Sequence, residues 1–160
     1  MAKSMLDHKK LLIVDDEPDV LRVIEEEILQ SCPDAKIDKA SDYGKASELL
    51  KSKIYDLVIL DIMGVRGFDL LEIAVRRTFR VAMLTAHALS PEALKKAHDM
   101  GAMAYLPKDK LGELLPFLEN VLKDDYKTGW KHLLDKLEND FDRTFFEDDW
   151  RMVAGVKYWF

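Results

Sequence analysis

Cysteine is nearly absent from this chain: Cys32 is the only one, so no intrachain disulfide can form. That fits a reducing compartment, and Cys32 is expected to be a structural residue. No apolar run reaches membrane-spanning length, and the opening MAKSMLDHKK has no apolar stretch of signal-peptide size. The expectation is a cytoplasmic protein without membrane contact. Positive charge is not in excess either. A formal net charge of −6 argues against non-specific binding to nucleic acid or to an anionic membrane. A glycine- and hydroxyl-rich phosphate loop is also missing after the first apolar run, where Asp15-Asp16-Glu17-Pro18 would repel a phosphate. A flavin-binding role is thereby disfavoured.

What the chain does have is alternation. Short apolar runs give way repeatedly to helical periodicity from Lys10 to about Leu122. Strands are predicted over Leu11 to Val14, Lys36 to Ala40, Leu57 to Leu60, Val81 to Leu84 and Ala102 to Leu106. The first helix opens on Pro18 and carries an apolar stripe of Val20, Leu21, Val23, Ile24, Ile28 and Leu29. Further helices are predicted over Tyr43 to Lys51, Gly67 to Arg77, from Ser90-Pro91-Glu92 to Gly101, and over Leu111 to about Leu122. Ser90 is the expected cap of the fourth helix and Gly101 its stop. Five strand-helix units with continuously apolar strands imply an α/β fold, a doubly wound parallel sheet covered on both faces.

In such a sheet, ligands bind outside the carboxyl ends of the strands. There the sequence places Asp15 and Asp16, Asp61, Thr85 and Lys108, drawn from four strands. Adjacent carboxylates repel unless a positive group lies between them. Three at close range call for a hard divalent cation, and Mg²⁺ prefers such oxygen ligands. With Lys108 as a second cation and Thr85 as a hydroxyl, the set suits a phosphoryl group carried on Asp61. Helix capping accounts for Asp15 and Asp16 taken alone, but not for all four elements together.

The pieces LLIVDDEPDV, VILDIM, MLTAH and AYLPK, in this order, resemble the receiver domain of two-component response regulators. The resemblance covers residues 9–123 and implies a flavodoxin-like fold of strand order 2-1-3-4-5. It implies that Asp15, Asp16 and Asp61 hold Mg²⁺ with the backbone carbonyl of Met63. It implies too that Asp61 takes phosphate from a histidine kinase or phosphotransfer protein, with Thr85 and Lys108 on the phosphate. Tyr105 matches the aromatic that swings inward as the hydroxyl engages. Self-hydrolysis would then be a timer, and the chain is not expected to be an enzyme proper. Two departures stand out: the loop Asp61-Ile62-Met63-Gly64-Val65-Arg66-Gly67 is short and lacks the family's proline, and Asp109 follows Lys108 where a proline is usual. The short loop bears on an alternative, a phosphate-independent interaction scaffold. An aspartate-nucleophile phosphatase would want a second aspartate where Met63 stands.

Other residues draw blander readings. Glu17 is expected to be a first-turn acid, and His87 and His98 to be surface histidines. Residues 124–160 change character and hold all three tryptophans, Trp130, Trp150 and Trp159. Trp130, Leu133, Leu134, Leu137, Phe141 and Phe145 recur at three- and four-residue steps, an amphipathic helix. This C-terminal helical extension is too short and too acidic for a DNA-binding effector. It is expected to pack on the core or to form a homodimer or partner surface through its aromatics. Signalling is therefore expected to run through protein contacts.

Overall fold

The computed structural model describes residues 4–85, 91–124 and 130–131. Five strands alternate with five helices: β1 (Lys10–Val14), α1 (Pro18–Ser31), β2 (Lys36–Ala40), α2 (Tyr43–Ser52), β3 (Leu57–Asp61), α3 (Gly67–Arg76), β4 (Arg80–Thr85), α4 (Pro91–Asp99), β5 (Ala104–Pro107) and α5 (Leu114–Lys123). The strands form one parallel sheet in the order β2-β1-β3-β4-β5. This is the order that the resemblance implies.

The apolar strands are continuous because the central ones are covered on both sides. Leu11 to Val14 and Leu57 to Leu60 are all 0% exposed. β2, at the sheet edge, buries only Ala40 and reads correspondingly polar. Helix α1 packs beside α5, and α2 beside α3. Lys96 of α4 lies over the Phe68 ring of α3, which puts α4 next to α3. Of the α1 stripe, Leu21, Ile24 and Ile28 are buried while Val23 is exposed. Arginines close two helix ends across chain distance: Arg77 donates to the Leu50 and Lys53 carbonyls, and Arg80 to those of Val121 and Asp124. Such donors satisfy carbonyls that a helix end leaves without partners. Cys32 is buried, in keeping with a structural role.

Two element starts differ from the sequence reading by two residues or more. β5 begins at Ala104 rather than Ala102, because the Met103 N–H already bonds to Val81 O and only then does the ladder with β4 start. Lys108–Glu113 forms 3-10 turns, so the fifth helix starts at Leu114, not Leu111. Lys110, with φ −104° and ψ 19°, breaks helical geometry there. Trp130 is 0% exposed and belongs to the same core cluster as the sheet, one of the two placements expected for the extension. The rest of the predicted extension helix, from Leu133 to Phe145, lies outside the described residues, as do the Ser90 cap and His87.

Candidate functional site

β1 and β3 are neighbours in the sheet but not in the chain, and the crossovers leave them in opposite directions. A crevice opens at their carboxyl ends for that reason. Asp15 follows β1 directly and Asp61 is the last residue of β3. Both are buried, at 0% and 3% exposure, while Asp16 is exposed. One carboxylate oxygen from each of the three lies within 4.8 Å of the others.

Lys108, first residue after β5, reaches into this group with a side chain only 11% exposed. Its Nζ is 2.7 Å from Asp15 Oδ2, 3.3 Å from Asp61 Oδ1 and 3.8 Å from Glu17 Oε1. Asp15 is used at both ends, for Oδ1 accepts the Glu17 N–H at 2.9 Å and so orders the entry to α1. The buried Oδ2 lies against the Lys108 ammonium, which is its charge partner. That single ammonium faces Asp61 as well, and the Asp16 carboxylate lies beside them.

Electrostatics point the same way. Burial pushes the Asp15 carboxyl up, against the pull of Lys108 and the Glu17 N–H. Asp61 is pushed up to about 6, first by burial and then by the Asp15 carboxylate, with Lys108 opposing. For Lys108, burial acts downward, but hydrogen bonding and charge from Asp15 and Asp61 more than offset it and raise the pKa. One ammonium therefore does not neutralise the cluster. The donor set, three carboxylate oxygens within 4.8 Å of one another, fits a hard divalent cation such as Mg²⁺.

The remaining predicted residues fall around this centre. Thr85 ends β4, one residue beyond Leu84, which is in register with Asp61. Tyr105 is 1% exposed, hydrogen-bonded to Thr85, and raised in pKa by burial. Met63 is 72% exposed on the loop beside the cluster.

Sequence reasoning passed over or under-read five residues. Glu17 is more than a first-turn acid, since its carboxylate joins the group facing Lys108. Gly64 has φ 83°, and a Cβ there would stand 2.3 Å from Asp16 Oδ2, so any side chain would displace that carboxylate. At Gly67 a Cβ would meet the Asp61 carbonyl at 2.1 Å. Lone glycines in a strand-to-helix loop are the signal that points to such close approaches. Between them Arg66, itself left-handed at φ 56°, stacks over the Tyr43 ring at 4.2 Å and pairs with Asp69 at 2.9 Å. The short loop is thus pinned without a proline. His98 is not a simple surface histidine, because its ring packs against Trp130 with centroids 5.2 Å apart.

A 2-1-3-4-5 parallel sheet carrying an acidic group and a lysine at its carboxyl edge defines a CheY-like module of the flavodoxin-like class. Residues 11–118 match the family model of the response regulator receiver domain, and the chain belongs to that family. It is 37% identical over 136 residues to Two-component response regulator ARR18 of Arabidopsis thaliana, a match covering 82% of this chain. The chain spans about a fifth, 21%, of that longer relative. Among solved structures it is similar to a CheY-like response regulator receiver domain protein from Methanospirillum hungatei JF-1. That likeness has a TM-score of 0.57 at 25% identity over 73% of this chain and 98% of the other. The receiver domain of the Francisella response regulator 1452 gives 0.63 at 24% identity, over 72% and 97% of the two chains. Among the described residues, no helix is long and apolar enough to cross a membrane.

Proposed function

We propose that this receiver accepts a phosphoryl group on Asp61 and signals through protein contacts rather than by binding DNA. The observation that carries the reading is Lys108 Nζ lying between the buried Asp15 and Asp61 carboxylates, with Asp16 beside them. The phosphoryl donor is a histidine kinase or a phosphotransfer protein. In the step, an oxygen of ionised Asp61 forms a bond to phosphorus as the P–N bond of a phosphohistidine breaks, and the departing imidazole takes up a proton. Lys108 neutralises charge on the phosphoryl oxygens, and the Thr85 hydroxyl orients one of them. Asp15, Asp16 and Asp61, with the Met63 carbonyl, would hold Mg²⁺. Bound there, it would lower the Asp61 pKa and offset charge on the transferring group. Tyr105 is the switch residue, because its partner is the same Thr85 hydroxyl. Residues 9–123 are read as the receiver and 124–160 as its extension, in a cytoplasmic protein.

Intact mass after incubation with acetyl phosphate tests this directly. One phosphoryl adduct is expected with Mg²⁺, none without it, and none in Asp61→Asn. Failure to label, under conditions that label another receiver, would leave the phosphate-independent scaffold as the better reading.

A further inference from the structure

Trp130 lies, by sequence, in the segment that follows the receiver, yet its ring is wholly buried in the receiver's core. A buried indole needs an acceptor for its N–H. Here Nε1 donates to the Ala102 carbonyl at 2.7 Å. Ala102 stands between two hydrogen-bonding systems: its own N–H bonds to Ala97 O at 3.0 Å to finish α4, and the Met103 N–H bonds to Val81 O at 2.8 Å to start the contact with β4. The other wall of the slot is His98 of α4, whose ring meets the indole edge-on at 75°. Gly101, at φ 97° against Val75 of α3, reverses the chain between these two walls. The slot thus belongs to neither α4 nor β5 alone. It exists only while the end of one and the entry to the other keep their spacing.

We propose that Trp130 is a latch, holding the chain's own C-terminal segment on the receiver until phosphorylation of Asp61 loosens it. The inference rests on the phosphoacceptor reading of Asp61 and names how that site is coupled to the extension. The coupling runs through Thr85 and Tyr105. Tyr105 is part of β5, three residues beyond Ala102, and Thr85 ends the strand that precedes α4. Thr85 pairs in register with Pro107, two residues beyond Tyr105 and so on the same face of the sheet. A phosphoryl group that draws the Thr85 hydroxyl to itself takes it from Tyr105. It therefore acts on both elements whose spacing makes the slot. Packed interfaces of this kind respond by discrete rearrangement, not by gradual stretch.

The test uses the full chain with Trp150→Phe and Trp159→Phe, so that Trp130 is the only emitter. Before phosphorylation its emission should be blue and poorly quenched by acrylamide. With acetyl phosphate and Mg²⁺, quenching should rise several-fold in proportion to the adduct seen by intact mass, and should not change in the same chain carrying Asp61→Asn. A full adduct with unchanged quenching would overturn the coupling. Absence of any adduct would instead sink the phosphoacceptor reading, and the latch would then stand or fall on limited proteolysis. Trp130→Ala should speed cleavage after residue 131 relative to the native chain while the receiver survives, and Trp130→Phe, which keeps a ring, should do so less. Equal cleavage in all three would overturn the latch.

Discussion

Replacing Asp61 with asparagine is expected to stabilise the metal-free protein at neutral pH, although it removes the phosphoacceptor. Asp61 is 3% exposed and its carboxyl is pushed from an ordinary 3.8 up to about 6, chiefly by burial and by the Asp15 carboxylate. A raised acid pKa means that the folded chain binds more protons than the unfolded one between those two values. Stability contributed by this group is therefore highest below about pH 4, falls as pH rises, and is lowest above about 6. Two pKa units correspond to about 3 kcal/mol. Asparagine keeps the shape without the charge, so the variant should gain about 2–3 kcal/mol over the native chain at pH 7.5 and close to nothing near pH 4. Urea unfolding of both proteins at several pH values, in EDTA, measures the difference. Adding Mg²⁺ should narrow it, since a cation that binds only the native state contributes about 1.4 kcal/mol when present at about ten times its Kd. An Asp61→Asn chain less stable than the native one at pH 7.5, or a gain that does not vary with pH, would refute the reasoning.

Three other outcomes follow from the same packing. Lys108→Met removes the ammonium beside the buried Asp15 and Asp61 carboxylates and should cost about 3 kcal/mol at neutral pH by urea unfolding, less in Mg²⁺. Gly64→Ala puts a Cβ 2.3 Å from Asp16 Oδ2 at a φ of 83°; Mg²⁺ affinity by calorimetry should fall at least tenfold, with a stability loss of about 1 kcal/mol. Tyr55→Phe deletes the 2.7 Å hydrogen bond from the buried phenol to Asp38 and should cost about 1 kcal/mol at pH 7. Asp38 is held below its usual pKa first by that bond, so its contribution is present above about pH 4 and is lost as pH falls further, and the two chains should converge there.

Sequence alone determined the layer architecture and which residues gather at the candidate site. Continuous apolar runs such as Leu57 to Leu60 appear only where a strand is covered on both faces, and helical stripes between them force parallel crossovers. Once the strands are parallel, every residue at a strand's carboxyl end falls on one edge, so Asp15, Asp61, Thr85 and Lys108 were legible as a group. Weaker local signals misled in small ways. Ala102 and Met103 look like the start of a strand, but their hydrogen bonds complete α4 and reach Val81 before the ladder begins. Gly64 and Glu17 acquire their roles only through contacts with Asp16 and Lys108, which no periodicity encodes. Trp130 is the clearest case. Its spacing assigns it to an amphipathic helix, but which surface the indole meets depends on how α4 and β5 are set against each other. Patterns in a chain record which face of an element is apolar; only the packed structure supplies the acceptor, here the Ala102 carbonyl, that lets that face be buried.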